Sequence, residues 1–240
     1  MQAYNYHQIL KRVLFFFFCL TASFMVSACG EAPKTDPLGK IKADLVKEPT
    51  YSILLEDMKQ EGTFFKKSFH KYLVVKLDKS TKTDWMEVPE SFYDKTQEFL
   101  GMALVSKKDG VLDTQASPPG YNFVGDPAYG SWRQDSQGGS FWEFYGKYAL
   151  LSSLFGGWNR PIYRNDYDMY NDSRSRNRPF FGRNKEFGSA GNIVKAKRPD
   201  FYSRRMAGVN AGKSSFKEKA ASRVGRTKTD FRSRAGGIGK

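Results

Sequence analysis

The chain has 240 residues and carries 39 Lys and Arg against 25 Asp and Glu, a formal charge of +14. Two cysteines and two histidines are too few for a disulfide framework, and they leave a thin supply for a zinc site, which takes three or four Cys, His or carboxylate ligands. The charge is confined to one end: residues 1–173 sum to −1 and residues 174–240 to +15.

The chain opens with Lys11-Arg12, an apolar run from Val13 to Phe24 that contains Phe15 to Phe18, and then Val26-Ser27-Ala28-Cys29. A charged start, a short apolar middle and small residues before a cut site are the parts of a secretory signal peptide. Val13 to Ala28 is shorter than the roughly 20 apolar residues needed to cross a bilayer, which argues against a permanent span. The segment resembles the lipobox of bacterial lipoproteins. That resemblance implies a signal peptide over 1–28, cleavage between Ala28 and Cys29, and acylation of the Cys29 thiol. An ordinary signal peptide with a chance cysteine is the competing reading. Cys19 falls in the discarded segment, so the processed chain would keep no free thiol. Stable attachment takes more than one acyl chain, which a triacylated cysteine supplies. Gly30 stands where these lipoproteins carry aspartate for inner-membrane retention. The resemblance thus implies a lipid-anchored protein of the cell membrane, or of the outer membrane where the host has two.

Residues 29–49 read as the lipidated cysteine and a flexible tether, and residues 50–160 as the folded unit. Tyr51 to Met58 and Phe64 to Leu77 are strand-like and suggest an antiparallel hairpin. Trp85 to Val88 suggests a short strand. Pro89 to Leu100 has a proline start and Gly101 after its end, the grammar of a helix. Met102 to Val105, the turn Lys108-Asp109-Gly110, and Val111-Leu112 make a second hairpin. The expected class is α+β: one small domain with antiparallel hairpins and one or two helices, followed by a long disordered tail.

From Tyr121 to Tyr170 the chain has 14 aromatic residues in 50. Ser140 and Glu143 stand at capping-box spacing, which predicts a helix over 141–155. Its apolar set is too large for a solvated helix, so the fold, a membrane interface or a membrane protein would cover it. Trp132, Trp142 and Trp158 are candidate stacking platforms for a glycan. The block from Pro118 to Phe155 resembles bacterial lipoproteins of unknown function, and that resemblance implies no chemistry.

Residues 161–240 read as a basic, Gly- and Ser-rich disordered tail, poor in the aliphatic residues that offset chain entropy. Phe187, Phe201, Phe216 and Phe231 recur every 14 or 15 residues, suggesting weak sticker units. Arg204, Arg205, Lys217, Lys219, Arg232 and Arg234 are the candidate anion-binding residues.

Little in the chain favours catalysis. His70 has no nucleophile-elbow motif with it and reads as structural. Asp166, Asp168 and Asp172 fail the EF-hand pattern, since Asn171 replaces its glycine and Asn177 its last glutamate. No P-loop pattern is present. The sequence therefore points to a non-enzymatic protein without metal or cofactor. Its expected partners are the membrane, through the anchor, and anionic envelope polymers or lipids, through the tail. The alternatives are a carbohydrate- or peptidoglycan-binding lipoprotein, and an accessory subunit of a membrane channel or transporter. An exported location argues against nucleic acid.

Overall fold

A computed structural model describes residues 37–155, 157–158 and 160–226. The signal segment, Ala28, Cys29, Arg232 and Arg234 lie outside the described residues.

The first element, α1 (Pro37–Asp44), buries Leu38 and Ile41, and Leu45 is buried just after it. These three sit three and four residues apart, the spacing of one helical face. The flexible tether expected over 29–49 is therefore helical from Pro37. Three aliphatic residues at the right interval outweigh a polar composition.

The predicted hairpin forms. Strand β1 (Tyr51–Glu61) runs antiparallel to β2 (Lys67–Lys76), with Tyr51 opposite Lys76 and Glu61 opposite Lys67. The short β3 (Ser80–Lys82) and β4 (Met86–Val88) both pair with β2. Helix α2 (Glu90–Thr96) starts after Pro89, as its sequence suggests. Strand β5 (Ala103–Lys108) pairs with β1 and returns as β6 (Val111–Asp113). The turn is Asp109-Gly110 with φ of 48° and 84°, the left-handed pair that a two-residue hairpin turn needs. All pairings are antiparallel, in the order β3-β2-β1-β5-β6 with β4 also on β2. The protein is α+β.

Both faces of β1 are covered. Tyr51, Ile53 and Leu55 alternate with Ser52 and Leu54, and all five are buried. Successive strand side chains point to opposite faces, so the sheet has packing on each side. A register shift between Leu55 and Asp57 places Glu56 and Asp57 beside each other on the same edge of that core.

The helix expected over 141–155 is replaced. Strands β7 (Gly130–Gln134) and β8 (Ser140–Phe144) form a separate hairpin in which Trp132 faces Trp142. One 3₁₀ segment (Gly146–Leu150) and the short α3 (Leu151–Leu154) follow. The turn decides the outcome. Asp135 Oδ1 accepts hydrogen bonds from the Gln137 and Gly139 amides at 2.9 and 2.7 Å, which brings the strands together. Glu143, expected in a capping box, instead bonds Arg133 Nε across the hairpin at 2.9 Å.

The fold also continues past residue 160, where the disordered tail was expected to begin. Helices α4 (Arg164–Ser175), α5 (Asn192–Lys197) and α6 (Pro199–Arg226) follow. Tyr170, Phe180, Phe187, Ile193 and Val194 are buried. Ser189 Oγ accepts from the Leu100 amide at 3.2 Å and donates to the Gln97 carbonyl at 2.6 Å. Sparse aromatic anchors and hydrogen bonds to the α2–β5 connection hold a segment whose average composition is polar. The four spaced phenylalanines are not equivalent. Phe187 is core, Phe201 half-buried and Phe216 75% exposed, while Phe231 lies outside the described residues.

Candidate anion-binding groove at the root of the long helix

Helix α6 is set by its first turns. Arg198, just before it, pairs with the buried Asp57 carboxylate. The other Asp57 oxygen accepts the Met58 amide at 2.8 Å. Next to it, the Trp158 indole donates to Glu56 Oε2 at 2.6 Å, and Lys82 bonds Glu56 Oε1 at 2.5 Å. Lys197 Nζ lies 4.3 Å from the Trp158 ring centroid, within cation–π range. Burial pushes the Lys197 ammonium below its ordinary pKa. Arg205 Nη1 donates to Gln97 Oε1 at 2.8 Å. The β1 irregularity thus serves as the acidic socket for a basic helix start.

Beyond this socket, β1, α2 and α6 enclose a groove of about 390 Å³ lined by Met58, Lys59, Gln60, Tyr93, Phe201, Arg204 and Arg205. Lys59 Nζ is 2.7 Å from Glu61 Oε1 and 4.5 Å from the Trp85 ring centroid. Glu61 partly neutralises it, so the two guanidinium groups supply most of the attraction for an anion. Arg204 is exposed and pairs with no carboxylate among the described residues. Burial raises the Tyr93 pKa against the lowering pull of Arg205, and Asp94 and Asp57 raise it further. Its phenol stays a neutral donor. Forked guanidinium donors and a phenol suit phosphate or carboxylate oxygens.

The predicted site residues separate into groups. Arg204, Arg205, Lys217 and Lys219 all fall on α6, the first two in the groove. From Ala207 to Lys219 the helix is exposed except at Val209. Lys213, Lys217 and Lys219 form no ion pair among the described residues. At about 1.5 Å per residue, this basic arm extends some tens of ångströms. The tryptophan platform is corrected: Trp142 and Trp158 are buried, because one packs across the β7–β8 hairpin and the other under Gly101. Trp132 is half-buried with the Arg164 guanidinium 4.8 Å from its ring. The three do not form a solvent-facing row. Asp166, Asp168 and Asp172 are each matched by an arginine, Arg183, Arg164 and Arg176 in turn. Among the described residues no group of three His, Cys, Asp or Glu is placed for a metal.

Sequence reasoning missed Lys59, Tyr93 and the groove itself. Lys59 stands on a strand and Tyr93 on a helix, far from the basic end, and no spacing rule joins them. The nearest signal was the polar run Lys59-Gln60-Glu61 after Met58. No protein-family model, curated protein or solved structure matches the chain. The class that can be stated is an α+β protein with a basic helix rooted in an acidic socket.

Proposed function

We propose that this chain is a non-enzymatic, lipid-anchored protein of the bacterial cell envelope that binds anionic envelope components through α6. The lipobox residues Val26 to Cys29 support the location. The exposed run of α6 with Lys213, Lys217 and Lys219, beside the Arg204–Arg205 groove, carries the binding reading. No helix among the described residues is long and apolar enough to cross a membrane. Attraction to an anionic surface is worth about 1 kcal/mol for each nearby Lys or Arg and is screened by salt.

The test is vesicle sedimentation of the full chain carrying Cys29→Ser, with and without Lys213→Glu, Lys217→Glu and Lys219→Glu together. Binding to anionic vesicles should fall with salt, and the triple variant should bind at least about a hundredfold more weakly. Equal, salt-independent binding by both chains rejects the reading. Exposed Phe216 on the same arm favours a second reading, docking of α6 on a membrane channel or transporter. Co-purification of such a partner, lost with Phe216→Ser and retained in the lysine variant, would select it.

A further inference from the structure

The most exposed apolar side chains of the fold lie away from the basic arm, at the β1–β2 turn. Phe64 and Phe65 are 93% and 91% exposed, and every residue from Glu61 to Lys67 is exposed. Adjacent phenylalanines in water forgo burial that would stabilise each by about 1.5–3 kcal/mol. Neighbouring apolar rings presented this way mark an interaction site. The turn is tight. Gly62 has φ +95°, and a Cβ there would stand 2.1 Å from the Phe65 carbonyl oxygen. The backbone that carries the two rings therefore follows a turn that requires glycine at Gly62.

The surroundings are cationic. Lys66 and Lys67 follow the rings directly. Lys67 reaches Glu87 at 3.5 Å and Lys59 reaches Glu61 at 2.7 Å. Lys66, Arg204 and Arg205 pair with no carboxylate among the described residues. Gln60, two residues before Gly62, lines the arginine groove. Trp85, partly exposed, covers Lys59. Exposed aromatic rings at a turn, backed by lysines and by a groove suited to phosphate, match the layered chemistry of a bilayer interface: apolar below, anionic above. A rigid protein partner would need a pocket for two protruding rings, whereas lipid rearranges around them.

We propose that the β1–β2 turn is a membrane-inserting tip. Phe64 and Phe65 enter the interfacial layer of an anionic bilayer, and Lys66 with the Arg204–Arg205 groove contacts its headgroup phosphates. The inference rests on the envelope location proposed above, and not on binding by the α6 arm.

The probe is an indole placed by Phe65→Trp in the full chain carrying Cys29→Ser. Vesicles of phosphatidylglycerol and phosphatidylethanolamine with brominated acyl chains are the target, and the Cys29→Ser parent is the reference for its native tryptophans. Extra quenching over the parent, absent with phosphatidylcholine vesicles, is expected. In sedimentation, Phe64→Ser and Phe65→Ser should each weaken partitioning about tenfold. Both rings are solvent-exposed, so neither change touches the core. Quenching that persists in the Lys213→Glu, Lys217→Glu, Lys219→Glu chain supports insertion even where the α6 reading fails. Salt-sensitive sedimentation without extra quenching overturns insertion and leaves the α6 reading standing. Shielding of the indole by an acidic protein in the absence of lipid also overturns it.

Discussion

The buried imidazole of His70 should make this protein lose stability at mildly acidic pH. His70 is fully buried on β2, with its ring 5.7 Å from Phe92 and 5.4 Å from Tyr93. Nδ1 meets the Tyr72 hydroxyl at 3.1 Å, and Nε2 has no partner among the described residues. In the doubly protonated ring the Nε2–H would therefore sit in an apolar site with nothing among the described residues to accept its hydrogen bond. Burial lowers the pKa to about 4 from an ordinary value of 6.5. Between these values the unfolded chain binds a proton that the folded chain refuses. Stability must fall as pH drops from about 6.5 to about 4, and below that the penalty is constant. At about 1.4 kcal/mol per pKa unit, the loss is on the order of 3 kcal/mol, a large share of the 5–15 kcal/mol typical of a domain. Urea unfolding from pH 7.5 to 4 measures it, with His70→Phe as the reference. Carboxylates contribute equally to both chains, so the difference isolates the imidazole. The gap between wild type and variant should shift by about 3 kcal/mol in favour of the variant at low pH, whatever the substitution does at neutral pH. Parallel profiles would refute the reasoning.

Other consequences concern the core and the helix root. Gly101 has φ +76°, and a Cβ there would lie 2.2 Å from the Trp158 ring. Gly101→Ala should destabilise by roughly 2–4 kcal/mol from backbone strain plus overpacking. Gly110 has φ +84° with nothing within 4 Å, so Gly110→Ala should lose only about 1 kcal/mol. Equal shifts of the two urea midpoints would contradict this account. Asp57→Ala removes the buried partner of Arg198, which keeps part of its hydration, so the loss should be about 2 kcal/mol, below that of a fully buried pair. Limited trypsin digestion should then cut near Arg198 faster than in wild type, and an unchanged digestion pattern would count against the socket.

The legible parts of the fold are those held by neighbours in sequence. The β1–β2 hairpin, the Pro89 helix start and the Asp109-Gly110 turn depend on alternation, a fixed φ and a left-handed pair, all within a few residues. The misread parts depend on partners far away. Ser140 and Glu143 have capping-box spacing, yet strand pairing of Trp142 with Trp132 and the Asp135 turn outweigh that local preference. Phe180, Phe187 and Val194 looked too sparse to order a polar segment, but each joins the one buried cluster, Phe180 and Phe187 packing against Tyr121. The groove joins Lys59, Tyr93 and Arg204 from three elements, a proximity that no local pattern encodes.

Composition and periodicity alone establish the basic C-terminal end, the α+β class, the first hairpins and the poverty of thiols and imidazoles. These follow from side-chain chemistry and from backbone preferences that act over one turn or one hairpin. Three-dimensional packing is what buries Trp142 and Trp158, leaves Phe64 and Phe65 in water, and roots α6 on Asp57. Which aromatic ring is covered depends on long-range contacts that close only when distant segments meet, and each such meeting costs chain entropy that local sequence does not reveal.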